Sequence, residues 1–302
     1  MEDFIEVLHS DGIKIQFVKG LGGAKYPYSN SLLINNWLID TGISSKHLRK
    51  LKRKYEINHV ILTHWHEDHI SGNRFFKDVN FYCHLKDKSL IENVDMFYKY
   101  YGIEDTPAAK LFQSIMEGFR IENTPITKSF RDKDKFPIEE NYNIQIIHTP
   151  GHTAGHSCIY DSQQKLCFLA DIDLSSFPFY GSLDANLMDF ENSIEKLKKV
   201  EIDIAISSHK SILRGKNLIK EELKNYTSVI WKRDDRILEN LSEKTPKTID
   251  DLSYKNLIYK RYNKIEKIYE IIAEKLMIKE HLKKLVKNGR IILTKEGYLL
   301  NE

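Results

Sequence analysis

The chain has 302 residues, 41% hydrophobic and 29% charged, which is enough for one large domain or two unequal ones and too apolar for a disordered tail. No apolar run approaches the roughly 18 residues of a membrane span, and Met1-Glu2-Asp3-Phe4 starts acidic where a signal peptide would be basic, so a soluble, cytoplasmic protein is expected. The net charge of +3 hides an asymmetry: residues 210–302 carry 22 Lys/Arg against 14 Asp/Glu and residues 1–209 carry 24 against 29, so a basic segment able to meet an anionic partner follows an acidic body.

In chain order, short apolar runs ending in polar loops predict buried strands at Ser31–Ile34, Trp37–Ile39, Val60–Leu62, Ile144–Ile147, Leu166–Ala170 and Ile204–Ile206. Between about 86 and 130 the pattern turns helical, with Met96, Tyr100 and Ile103, then Leu111, Ile115, Met116 and Phe119, and predicts a helical insertion. Its aromatics, among them Phe97, Tyr101 and Phe112, serve either as packing for a small helical subdomain or as a pocket lining. From about 216 Leu223, Tyr226, Ile230, Ile237 and Leu241 follow one helix face, Thr248 and Asp251 read as an N-cap with a first-turn acid, and Ile265, Ile268, Ile272 and Leu276 mark another amphipathic helix. Asn288-Gly289 stops it, and two short apolar runs around Lys295-Glu296-Gly297 predict a hairpin. The expected organisation is therefore a domain over 1–215 and a helical, winged-helix-like domain over 216–302. Cys83, Cys158 and Cys167, odd in number and without C-x-x-C spacing, read as reduced thiols.

The run Val60-Ile61-Leu62 leads into Thr63-His64-Trp65-His66-Glu67-Asp68-His69, three imidazoles and two carboxylates in six positions. A sheet end gains nothing from several desolvated polar rings unless something binds them, and neutral imidazole with carboxylate is a ligand set for zinc or a similar metal. Further pieces follow other strands: Asp40 after Ile39, Thr149-Pro150-Gly151-His152-Thr153-Ala154-Gly155-His156 after Ile147, Asp171 after Ala170, and His209 after Ser208.

In this order and spacing the motifs resemble those of the metallo-β-lactamase superfamily. The resemblance, which covers about residues 10–215, implies an α/β fold, an αββα sandwich with two metals at one rim. It makes His64, His66 and His152 the ligands of one ion, Asp68, His69 and His209 those of the other, Asp171 the bridge, and Asp40 a support for the ligand loop. The ions implied are two divalent metals, zinc first, with iron or manganese as substitutes. Asp171 stands where the main zinc β-lactamases place cysteine, His66 stands where flavodiiron proteins place glutamate, and only 37 residues separate Asp171 from His209, too few for the large inserted nuclease domain. Glyoxalase II, ribonuclease Z and a group resembling β-lactamase-like protein 2 remain, the last sharing a helical C-terminal extension.

The expected enzyme is a hydrolase in which a metal-bridged hydroxide, positioned by Asp68, attacks an ester, thioester, lactone or phosphodiester. The alternatives are a single-stranded RNA or DNA endonuclease, with Lys283, Lys284 and Lys287 following a phosphate backbone, and an iron-dependent persulfide dioxygenase. Lys210 and the loop Phe177-Pro178-Phe179-Tyr180-Gly181 lie near the expected metal rim, with Tyr180 and Lys210 the candidate pocket residues; His156 is expected to hydrogen-bond locally, and His281 is placed among lysines on an amphipathic helix without a ligand partner. A homodimer is a further expectation.

Overall fold

The computed structural model describes residues 4–10, 12–259 and 267–301. One sheet is ordered β1 (Ile5–His9), β2 (Ile15–Val18), β3 (Ser31–Ile34), β4 (Trp37–Ile39), β5 (His59–Leu62), β6 (Asn80–His84) and β7 (Lys128–Phe130), antiparallel as far as β4 and parallel from there on. The other, β8 (Lys135–Glu139), β9 (Tyr142–His148), β10 (Ser157–Asp161), β11 (Leu166–Ala170), β12 (Ile204–Ser207) and β13 (Leu213–Arg214), is antiparallel except for the β11–β12 pair. Every strand expected from sequence is present.

Strand side chains alternate between faces, and here both faces are apolar. Leu38, Val60 and Leu62 point to one side of the first sheet, where helix α1 (Ser45–Lys54) supplies Leu48 and Leu51. Ile39 and Ile61 point to the other, where they meet Ile144, Ile146, Phe168 and Ile206 of the second sheet. The fold is thus an αββα sandwich. After β5 comes the single turn α2 (Glu67–Ile70), and between β6 and β7 the expected insertion forms α3 (Lys88–Glu92), α4 (Met96–Tyr100) and α5 (Ala108–Phe119). Phe97 and Phe112 pack into the same core as α1.

The second sheet is covered by α6 (Leu187–Leu197) and α7 (Lys216–Leu238), and α8 (Ile249–Ser253), α9 (Lys267–Lys287) and the hairpin β14 (Ile291–Leu293) and β15 (Tyr298–Leu300) complete the chain. Thr248 caps α8 through a reciprocal capping box with Asp251. The expected boundary at 215/216 falls where α7 begins, yet one apolar cluster spans it: Cys158, Leu169 and Phe190 pack with Ile230, Met277 and Ile278. The expected face of the last helix differs in the structure. Ile268 is exposed and Ile265 lies outside the described residues, while Ala273, Met277, Ile278, Leu282 and Leu285 form the buried stripe.

Strand direction places the site. β4 and β5 run parallel, as do β11 and β12, and β9 shares the direction of β11 because β10 reverses between them. The residues that follow these five strands include Asp40, His64, His152, Asp171 and His209. Asp40 and Ala170 adopt left-handed backbone at φ 59° and 50°, an uncommon conformation for non-glycine residues that turns the chain sharply at the rim.

Candidate metal centre

Two groups of ligand-type side chains converge at this rim: His64, His66, His152 and Asp171, and beside them Asp68, His69 and His209. In the first, His152 Nε2 lies 3.2 Å from His64 Nε2 and 2.9 Å from His66 Nδ1, and the last two are 3.1 Å apart. Three imidazole nitrogens cannot share protons around such a triangle, and their opposite ring atoms show where the protons are. His152 Nδ1 donates to the Phe179 carbonyl at 2.7 Å. Thr63 Oγ1 donates to Asp40, so it accepts from His64 Nδ1 at 3.0 Å. In the second group His69 Nδ1 donates to Asp40 Oδ2 at 2.8 Å and His209 Nδ1 to the Ala24 carbonyl at 2.8 Å. In their neutral forms these four rings therefore turn an Nε2 lone pair inward, with tautomer and orientation set by the outer partner.

Asp171 stands between the groups. Its Oδ2 is 3.4 Å from His152 Nε2 and 4.0 Å from His64 Nε2, while its Oδ1 is 3.0 Å from His69 Nε2 and 3.5 Å from His209 Nε2. Asp68 Oδ2 lies 3.4 Å from His209 and 3.8 Å from His69. His66 Nε2 is buried without a hydrogen-bond partner, an orphan that is costly in a folded protein, and His69 Nε2 has Asp171 Oδ1 at 3.0 Å before it. Electrostatics point the same way. Burial pushes His64 and His66 well below the usual histidine range, which keeps them neutral. Burial also opposes charge on His69 and His209, but Asp171 and Asp68 outweigh it, holding His69 well above its usual value and His209 at about 10. Neutral lone pairs beside carboxylates that favour positive charge fit divalent cations.

The chain belongs to the metallo-beta-lactamase superfamily. The profile described as "Metallo-beta-lactamase superfamily" matches residues 27–209, which contain both groups and Asp40. Among curated relatives, the Beta-lactamase-like protein 2 homolog of Drosophila melanogaster is 23% identical over 86% of this chain and 81% of its own length. Hydroxyacylglutathione hydrolase of Rhizobium etli is 28% identical over 40% of this chain and 35% of its own. A solved metallo-beta-lactamase family protein from Thermus thermophilus superposes with a TM-score of 0.68 at 17% identity, covering 99% of this chain and 97% of that one, so the likeness in fold includes the C-terminal helices.

Within this metallo-beta-lactamase fold the remaining expected residues divide. Asp40 is fully buried and accepts the Thr63 amide, the Thr63 hydroxyl and His69, which ties the two metal-facing loops together. Gly42 permits that closeness, since a methyl group there would sit 1.5 Å from the Asp68 carbonyl oxygen. His156 does hydrogen-bond locally: Nδ1 meets Thr149, and Nε2 accepts the Asp171 amide at 3.1 Å. Lys210 is exposed at the rim of a cleft of about 380 Å³ above the two groups.

Tyr180 does not line that cleft. It is fully buried behind it, its hydroxyl 2.7 Å from His281 Nε2 and accepting from Arg233 Nη1 at 2.8 Å. Phe177 and Phe179 of the same loop form the wall instead. His281, although among lysines in sequence, is a core histidine: it is fully buried, with Nδ1 2.6 Å from Asp234. Lys284 is buried too and pairs with Asp234 at 2.6 Å and Glu191 at 2.7 Å, so it cannot follow a phosphate backbone. Among the described residues neither ligand group draws on the chain beyond His209.

Sequence reasoning missed Tyr26, Tyr226 and Tyr269 in the cleft lining and the role of Glu67 beneath it. Buried Glu67 accepts from Tyr26 at 2.8 Å and from Tyr101 at 2.5 Å, and burial with the nearby Asp68 charge raises its carboxyl to about 7. Glu67 was visible as the extra acid in the histidine cluster. The tyrosines, distant in sequence and without a motif, carried no signal.

Proposed function

We propose that the chain is a hydrolase holding two divalent ions, zinc first with iron or manganese as substitutes, and that it acts on the carbonyl of an ester or thioester. The observation that carries this reading is Asp171, whose two oxygens face different groups of histidines at the floor of one cleft. His64, His66 and His152 would hold one ion, Asp68, His69 and His209 the other, and Asp171 both. When bound, such ions supply a nucleophile available at neutral pH and Lewis acidity at the scissile carbonyl.

The chain's own residues do the rest. Asp40 fixes the direction of His69 and, through Thr63, that of His64. Asp68, a lining residue of the cleft, accepts a hydrogen from the attacking water and so sets its approach. Phe177, Phe179, Tyr26 and Tyr226 give aromatic walls that limit bulk water, and Glu67 holds Tyr26 and Tyr101 in place. Lys25 and Lys210, both exposed at the opening, suit a substrate with an anionic leaving portion. The basic end gives less support to nucleic acid than its charge suggests, since Lys284 is consumed in buried pairs and Lys283 pairs with Glu280.

The test is a panel of esters, thioesters, lactones, phosphodiesters and short single-stranded RNA, offered to metal-reconstituted protein with oxygen uptake monitored. Turnover of acyl substrates with little response to salt is expected. Cleavage of RNA with a steep salt dependence, or oxygen consumption on a persulfide, would replace this reading by the nuclease or the dioxygenase. A structural variant probes the two-ion arrangement separately. Gly42→Ala forces the Asp68 loop away from Asp40, and elemental analysis is expected to find at most one ion per chain with the circular dichroism spectrum retained.

A further inference from the structure

We propose that an apolar chamber beside the metal cleft binds the acyl group of the substrate, an aliphatic or aryl acid of medium length. This rests on the hydrolase reading above. The chamber measures about 240 Å³, roughly the volume of eight waters and far more than the small voids of a close-packed interior. Tyr26, Phe179 and Tyr269 line both it and the cleft, so the two spaces share a wall of aromatic rings.

Its far side is one helix face. Ala108, Leu111, Phe112 and Ile115 of α5 stand at i, i+3, i+4 and i+7, the spacing of a single apolar stripe. Such a stripe is normally covered in full. Here Ala108 and Phe112 are buried, but Leu111 and Ile115 keep part of their surface open toward the chamber. Glu270 is the one charged lining residue among those described. A cavity walled this way favours hydrocarbon over water or phosphate. The metal-facing cleft carries Asp68, Asp171 and Asp173, and the exposed Lys25 and Lys210 line the cleft but not the chamber. That polarity orients the substrate, with the acyl chain toward α5, the carbonyl over Asp171 and the leaving group at the lysines.

The experiment uses the full chain, metal-loaded, with p-nitrophenyl esters from acetyl to decanoyl and with calorimetric binding of octanoate and acetate. kcat/KM is expected to rise about four-fold per added methylene until the chamber is filled. Leu111→Trp, which fills the chamber, should abolish the gain with length and weaken octanoate binding at least ten-fold. Ile115→Ala, which enlarges it, should move the preferred length to longer chains, and this opposite shift guards against a mere folding defect. A flat length profile alongside measurable acetyl hydrolysis, or a profile unchanged in both variants, overturns the chamber and leaves the hydrolase. Octanoate binding that Leu111→Trp removes, with no ester of any length hydrolysed, overturns the hydrolase reading while the chamber stands as a carboxylic-acid site.

Discussion

Asp171→Ala is expected to lower turnover by three orders of magnitude or more and to leave at most one ion per chain. The side chain is the only one whose oxygens approach both histidine groups among the described residues, at 3.0 Å from His69 and 3.4 Å from His152. Removing it takes one anionic ligand from each proposed ion and the element that sets their spacing. His69 and His209, whose high proton affinity depends chiefly on Asp171 working against burial, would fall back toward ordinary histidines. Elemental analysis and kinetics on the same preparation check both parts. A variant with two ions and near-normal turnover would exclude the proposed role of Asp171 in holding both.

The second large effect is on stability. Asp234→Ala should cost about 3 kcal/mol, because it leaves Lys284 and His281, both buried, without the carboxylate they share. For a chain of this size the melting temperature should fall by several degrees. The same network sets an acid limit. Burial holds His281 at about 4, below its unfolded value of about 6.5, so the unfolded chain binds a proton that the folded chain refuses. Stability is therefore expected to fall as pH drops from about 6.5 to 4, by about 3 kcal/mol in all, and to be unaffected by this group above that window. Thermal melts of wild type and His281→Gln across pH 4.5 to 7.5 measure it; equal acid slopes in the two proteins would exclude His281 as the source.

The legible parts of the fold were those where local pattern and tertiary demand coincide. The strands that carry Asp40, His64, Asp171 and His209 are buried on both faces and read as continuous apolar runs, and each is followed by residue types that have no reason to be buried except together. β8 was not predicted. It is an edge strand, Lys-Phe-Pro-Ile-Glu, where half the side chains face water and a proline is tolerated because no described strand pairs beyond it. In the site, the ligand-type residues were legible because their chemistry is unusual. Of the loop after Asp171, Phe177 and Phe179 reach the cleft while Tyr180 turns into the core toward His281, a choice of direction that position in sequence near Asp171 does not carry. The buried pairs of His281 and Lys284 carry no sequence signal because their partners, Tyr180, Asp234 and Glu191, lie 47 to 101 residues away.

The stretch Pro178-Phe179 presents successive carbonyls to two clients: Arg233 of α7 donates to Pro178, and His152 donates to Phe179. Bonds of 2.6 Å and 2.7 Å on neighbouring peptide units put an anchor of α7 and the outer partner of His152 on one short piece of backbone. An ion that steadies His152 is therefore expected to steady α7, and amides of α7 should exchange with solvent more slowly when zinc is added. By reciprocity, loosening Arg233 is expected to weaken metal binding, and α7 also meets the centre directly, since the Tyr226 hydroxyl donates to the Asp171 carbonyl at 3.2 Å, so exchanging the C-terminal helices for another module should require retuning the site.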